Sequence, residues 1–104
     1  MPQIVDEAVL NDFRGPGFCE YCHKWCQCRQ PHHLWARGRS SAWRLDIRIN
    51  LISLGATFEC NCHDEVHLGG ILRDDLLAVV AQREGQLQDN IRLEILRLRR
   101  APKP

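Results

Sequence analysis

The stretch CEYCHKWCQC, residues 19–28, holds four of the six cysteines of this 104-residue chain. Within it, Cys19 and Cys22 have the C-x2-C spacing that lets two thiolates bind one tetrahedral zinc ion. Clustered cysteines in a chain without an export signal are more often metal ligands than disulfide partners. The sequence therefore predicts a structural zinc site that includes Cys19 and Cys22.

The second pair of zinc ligands has two candidate sources. Cys60 and Cys62 form a C-x-C motif, whose spacing is tighter than the usual two to four residues. Cys26 and Cys28 remain an alternative second pair, which would leave Cys60 and Cys62 free. Both alternatives stay open at the level of sequence.

The chain is expected to form one domain in three parts. At this length, folding buries only roughly 65% of the surface that the unfolded chain exposes, so a second cored domain is not expected. Residues 1–17 predict a peripheral N-terminal arm that ends in the breaker GPG. Residues 18–70 predict a zinc-stapled core, and residues 71–104 predict C-terminal helices and a basic tail.

Two extended regions are predicted in the core. The cysteines crowd residues 18–30 too closely for a regular helix or strand, so an irregular knuckle is expected there, followed by an extended run over 32–36. Apolar and polar residues then alternate over 45–51, which is typical of a half-buried extended segment. A strand is expected near residues 50–54.

Three helices are predicted in the second half of the chain. Residues 62–68 predict a short helix ended by two glycines, and residues 73–84 predict a buried helix ended by Gly85. Residues 86–100 form a further helical run. Its Leu93 and Leu96 widen the apolar face, which we assign to packing within the domain in preference to a dimer seam.

Four of the five histidines form a second constellation. His63 and His67 are four residues apart, so on a helix both imidazoles lie on one face and can bind one cation. His32 and His33 are adjacent in an extended segment and point to opposite sides. One of them can bind a metal while the other performs a different task.

The order of these motifs resembles the HNH endonucleases, especially small zinc-bearing phage and prophage members. The similarity covers residues 18 to about 84. The matching segments are C-x2-C at 19–22, PHHL at 31–34, ARG at 36–38, NLISL at 50–54, CH at 62–63 followed by His67, GG at 69–70 and RDDLL at 73–77.

The resemblance implies an α+β fold with a small ββα-metal, treble-clef-like core, in which two antiparallel strands and a helix clasp one catalytic divalent ion. By position, His33 is the general base and Asn50 orients its imidazole through a hydrogen bond. His32, His63 and His67 are the ligands of the catalytic ion. An all-imidazole set favours Mn²⁺, Ni²⁺ or Zn²⁺ over Mg²⁺, which prefers oxygen ligands.

DNA is the expected partner, although the formal net charge is only +1. Arg37 and Arg39 follow the catalytic strand, and Arg44 and Arg48 extend the same basic stretch, so all four are candidates for phosphate contacts. No base-reading helix is evident, which predicts nicking with weak sequence preference.

The expected function is hydrolysis of DNA phosphodiester bonds by an enzyme with one structural zinc and one catalytic divalent metal. The alternative is a non-catalytic zinc module that binds DNA or a packaging partner. The expected location is the cytoplasm of a bacterium or phage-infected host, away from membranes. The resemblance suggests packaging or recombination proteins as further partners, and a homodimer is left open.

Overall fold

The computed structural model describes residues 4–35 and 44–100, which excludes Arg37, Arg39 and the last four residues of the chain. In this part of the chain, three strands form one antiparallel sheet in the order β1, β2, β3. The strands are β1 (Gly15–Phe18), β2 (Trp25–His33) and β3 (Leu51–Gly55), and a 3-10 helix (Arg48–Asn50) precedes β3. The α-helices are α1 (Glu7–Asn11), α2 (Cys62–His67), α3 (Arg73–Glu84) and α4 (Gln88–Arg100). The predicted α+β class is confirmed.

Strand β2 corrects the expectation of an irregular segment after Cys22. The strand begins at Trp25 and runs to His33, through Cys26 and Cys28. Closely spaced cysteines are compatible with a strand because successive side chains point to opposite faces of the sheet. Trp25 is accordingly exposed, whereas the next residue, Cys26, is buried.

Strand β3 lies close to its predicted position and is buried at all five residues. It pairs antiparallel with β2, with His33 opposite Leu51 and His32 opposite Ile52. The expectation of an extended segment over residues 45–51 was wrong, because residues 48–50 form a 3-10 helix. Residue Leu45 makes an isolated parallel bridge with Ile4.

Glycines end the second and third helices as predicted. Gly69 follows α2 with φ +86°. Gly85 caps α3 in the left-handed conformation, with φ +66°. Glycine adopts this conformation without the steric cost that a Cβ imposes.

The core lies between the sheet and the last two helices. Its fully buried aliphatic side chains are Leu45, Ile52, Leu54, Leu76, Leu77, Val80, Ile91 and Ile95. On α4, Ile91 and Ile95 are buried, whereas Leu93 is 65% exposed and Leu96 is 36% exposed. The expectation that Leu93 and Leu96 pack within the domain is therefore wrong, because the buried stripe of α4 is narrower than the apolar pattern suggests.

The N-terminal segment is more than a peripheral arm. Leu10 and Phe13 are buried and pack with Leu51 of β3. The backbone of Ile4 donates to Arg44 and accepts from Asp46, so the segment also binds the chain just before the 3-10 helix. Among the described helices, none is long and apolar enough to cross a membrane.

Candidate functional site

The turn between β1 and β2 presents Cys19 and Cys22. The backbone N–H of His23 donates to the carbonyl of Cys19 at 2.9 Å, and the N–H of Cys19 donates to the carbonyl of Lys24 at 2.9 Å. His23 has φ +66°, which lets the chain turn sharply after the second cysteine. The local hydrogen bonds therefore fold the C-x2-C motif into a compact knuckle.

The second cysteine pair approaches this knuckle from the segment that links β3 to α2. The Sγ atoms of Cys22 and Cys60 lie 3.1 Å apart, and those of Cys60 and Cys62 lie 3.6 Å apart. All four Sγ atoms, including that of Cys19, lie within 4.8 Å of one another. Zinc–sulfur bonds of about 2.3 Å in a tetrahedron place sulfurs about 3.8 Å apart. The four thiols can thus hold one metal ion such as zinc.

The other two cysteines lie outside this cluster. The Sγ of Cys26 is 3.5 Å from the carbonyl oxygen of Lys24. The Sγ of Cys28 accepts from the amide of Gln30 at 3.4 Å. Of the two candidate second pairs, the structure brings Cys60 and Cys62 to the C-x2-C motif.

The environment of the cluster fits a cation. Burial opposes ionisation of Cys19, but backbone N–H groups of Cys22, Gly55 and Tyr21 outweigh it and lower the pKa of the Cys19 thiol to about 7. Burial and the neighbouring Cys60 raise the pKa of Cys62. One thiolate thus forms readily, whereas ionisation of the whole cluster needs a positive charge at its centre.

Gly55 is a second sign of a tightly built cluster. A Cβ at this position would lie 2.4 Å from the Sγ of Cys60 and 2.5 Å from the Sγ of Cys26. Such distances are far inside van der Waals contact, so strand β3 passes the sulfurs at a position where only glycine fits without displacing them.

Three histidines, one on β2 and two on α2, form a separate cluster. Their ring centroids lie 6.1 Å apart for His32 and His63, 5.6 Å for His32 and His67, and 4.8 Å for His63 and His67. One ring nitrogen from each lies within 4.8 Å of the others. The end of β2 and one face of α2 therefore place three nitrogen donors around one point.

The environment of His32 and His63 favours the neutral imidazole. Burial, followed by the charges of His67, His63 and His33, lowers the pKa of His32 to about 4. Burial and His67 also lower the pKa of His63. Neutral rings retain the lone pairs that a divalent cation requires.

His33 points away from the histidine cluster to a different partner. Its Nε2 lies 2.7 Å from Oδ1 of Asp46, whose side chain is wholly buried. Burial opposes ionisation of Asp46, but hydrogen bonds from Arg44, His33 and the backbone of Asp6 lower its pKa. Asp46 was not among the residues predicted from the sequence, although it is the one acidic residue in the arginine-rich stretch 29–48.

Asn50 does not make the expected hydrogen bond to the His33 imidazole. Its buried Oδ1 accepts from the N–H of Trp35 at 2.8 Å, and its Nδ2 donates to the carbonyls of Trp35 at 3.2 Å and Leu45 at 3.0 Å. Backbone groups thus use the amide, and the imidazole contacts Asp46 instead. Asn50 joins the backbone at Trp35 to that at Leu45.

An open groove of about 360 Å³ gives access to both sets of histidines. Its lining includes His32, His33 and His67, together with Leu72 and Arg73. The guanidinium of Arg73 lies 4.8 Å from the ring centroid of Trp35 and donates to the carbonyl of Leu34. His32 and His67, which could bind a cation, therefore face the same solvent-accessible groove as His33, which lies outside their cluster.

The two described arginines among the predicted phosphate contacts already have carboxylate partners. Arg44 binds Asp46 at 2.8 Å and Glu7 at 3.5 Å. Arg48 binds Glu84 at 3.1 Å and remains 51% exposed. Arg37 and Arg39 lie outside the described residues.

Comparison of the chain with protein-family models, with curated proteins and with solved structures found no match.

Proposed function

We propose that this protein is a divalent-metal-dependent endonuclease that hydrolyses DNA phosphodiester bonds. The observation that carries the proposal is the groove in which His32 and His67 of the three-histidine cluster lie beside His33. A cation ligand set beside a separately oriented imidazole is an arrangement suited to metal-assisted hydrolysis.

The surrounding fold supports the same proposal. β2 and β3 form an antiparallel pair, and α2 follows β3 with two of the three cluster histidines. The four-cysteine cluster joins the turn before β2 to the start of α2. We propose that these elements correspond to the ββα-metal core, with a zinc knuckle beside it, that the resemblance to HNH endonucleases implies. On this view the Cys cluster fixes where α2 begins, and thereby the placement of His63 and His67.

The chain's own groups have distinct tasks in the proposed reaction. His33 accepts a proton from the attacking water, while its bond to Asp46 holds the ring in place. His32, His63 and His67 hold the divalent ion. When bound, the ion supplies positive charge that polarises the scissile phosphate and stabilises the departing oxygen.

DNA would enter along the open face of the groove. Arg73 lines this groove. Its guanidinium offers a contact to phosphate without reading sequence. Weak sequence preference is therefore part of the proposal.

The test is cleavage of supercoiled plasmid by purified protein with Mg²⁺, Mn²⁺, Ni²⁺ or Zn²⁺, each with and without excess chelator. The wild type should convert plasmid to open circles with at least one metal. His33→Ala should keep the fold and the zinc yet lose cleavage, because the general base is gone.

His23→Asn is the matched control, since His23 lies in the cysteine knuckle rather than the groove and asparagine tolerates its positive φ. This variant should cut like the wild type. Equal cutting by His33→Ala would show the assignment of the base to be wrong. No cutting by the wild type with any metal would instead favour the DNA- or partner-binding zinc module.

A further inference from the structure

Asp46 is a buried carboxylate with four hydrogen-bond donors. Its Oδ1 lies 2.7 Å from Nε2 of His33 and accepts from Nε of Arg44 at 2.9 Å. Its Oδ2 accepts from the backbone N–H of Asp6 at 2.9 Å and lies 2.8 Å from Nη2 of Arg44. The side chain of Asp46 has no exposed surface, whereas that of His33 is 24% exposed. The imidazole thus has one nitrogen anchored in the interior and an edge that reaches solvent.

We infer that Asp46 is the positioning residue that fixes the tautomer and the orientation of His33, so that Nδ1 presents the lone pair used in hydrolysis. This inference rests on the proposed function. An ionised carboxylate only accepts hydrogen bonds, so Nε2 of His33 carries the ring proton. A neutral imidazole has one protonated nitrogen, and Nδ1 is therefore the acceptor.

The partners of Asp46 keep it in the acceptor form. Arg44 donates through two nitrogens, one to each carboxylate oxygen, in the bidentate geometry that stabilises a carboxylate. The N–H of Asp6 adds a donor that cannot rotate away. A protonated Asp46 would leave one of these donors without an acceptor in a buried position, which is unfavourable.

The fold also holds the carboxylate at the correct distance from His33. The backbone of Asp46 donates to Ile4, and the carbonyl of the preceding Leu45 accepts from Asn50. Asn50 also binds both backbone groups of Trp35, two residues after His33. The N-terminal segment and the Asn50 amide therefore clamp the chain on both sides of the Asp46–His33 pair.

Asp46→Asn tests the inference with almost no change of shape. The asparagine amide has one acceptor oxygen, whereas the four donors around Asp46 use two. If its NH₂ group faces His33, the His33 tautomer is reversed. If its NH₂ group faces Asp6 and Arg44, the hydrogen bonds that hold residue 46 in place are weakened. For this variant kcat should fall by about 10²- to 10⁴-fold, the range that a positioned general base contributes. KM should stay within about threefold, because Asp46 is buried and does not contact DNA.

Glu84→Gln is the matched control. Glu84 is also a mostly buried carboxylate, with Arg48 and Arg83 as partners, but it lies away from His33. Its variant should retain the kcat of the wild type at saturating DNA. Retention of wild-type kcat by Asp46→Asn, with the zinc still bound, would overturn the inference.

A second measurement needs neither a variant nor cleavage. In ¹⁵N-labelled wild-type protein, the His33 ring should show a protonated Nε2 and an unprotonated Nδ1 by its ¹⁵N chemical shifts. A ring protonated at Nδ1 would overturn the inference even if Asp46→Asn failed to fold. If the wild type cut no DNA, the proposed function would fail, and the ring shifts would still show whether Asp46 sets the tautomer.

Discussion

Asn50 and Asp46 show how single buried polar side chains organise the groove. Asn50 uses its amide to join the backbone at Trp35 to that at Leu45, and the carboxylate of Asp46 contacts the His33 ring. Each side chain is buried with all of its described polar contacts inside the protein. Their removal should therefore have different consequences, one for stability and one for turnover.

Asn50→Ala should lower the free energy of unfolding by about 1–3 kcal/mol, because buried backbone groups of Trp35 and Leu45 lose their partners. Urea denaturation of the zinc-loaded protein measures the change. Asn90→Ala, at an exposed position on α4, should stay within about 0.5 kcal/mol of the wild type. Equal stability of Asn50→Ala and the wild type would contradict the clamp assigned to Asn50.

The pairing of His63 with His67 could be predicted from sequence because their spacing is local, whereas His32 joined them only through the resemblance. His63 and His67 are four residues apart on a helix whose end is marked by Gly69, so their common face follows from helix geometry. The partnership of His33 with Asp46 could not be predicted in the same way. The two residues are 13 positions apart in sequence. Their contact depends on tertiary structure, including the bridge between Leu45 and Ile4.

At the scale of elements, helix ends were easier to predict than strands. α3 ends where Gly85 takes a positive φ, which is a property of one residue. The bounds of β2 depend instead on pairing with β1 and β3 on both sides, which no local pattern in residues 18–30 reveals. Pairing with the neighbouring strands therefore determines the structure of residues 25–30, although their closely spaced cysteines suggested an irregular segment.

Strand β3 and the cysteine cluster should be coupled through Gly55. Gly55→Ala would place a methyl group at 2.4 Å from the Sγ of Cys60, so the sulfurs or the strand must move. We expect weaker zinc binding and a loss of stability of about 1–3 kcal/mol or more. Competition with a chromophoric chelator measures the zinc affinity.

Gly69→Ala separates this packing effect from backbone strain. Gly69 has φ +86° and open space around its Cβ position. Its alanine variant should lose about 1–2 kcal/mol of stability, the cost of a left-handed alanine, while zinc affinity stays unchanged. Equal zinc affinities for Gly55→Ala and the wild type would refute the close approach of β3 to the sulfurs.

At the scale of the whole molecule, the proposed function gives the two clusters separate tasks. The four cysteines join the turn after β1 to the start of α2, so a bound ion would cross-link distant parts of the chain. Structural zinc binding is worth about 10–16 kcal/mol in small domains, comparable to or larger than the net stability of a domain this size. Two of the three clustered histidines, His32 and His67, border an open groove. We therefore assign the Cys cluster to folding and, under the proposed function, the His cluster to the reaction.

The most direct test of this division is plasmid cleavage by His67→Ala, measured together with the thiolate absorption of the cobalt-substituted protein. His67 is exposed, so its loss should not disturb the core. The account predicts an unchanged thiolate–cobalt band, which reports an intact Cys cluster, with cleavage lost at the metal concentration that saturates the wild type. Wild-type cleavage by His67→Ala would contradict the assignment of the histidine cluster to the reaction.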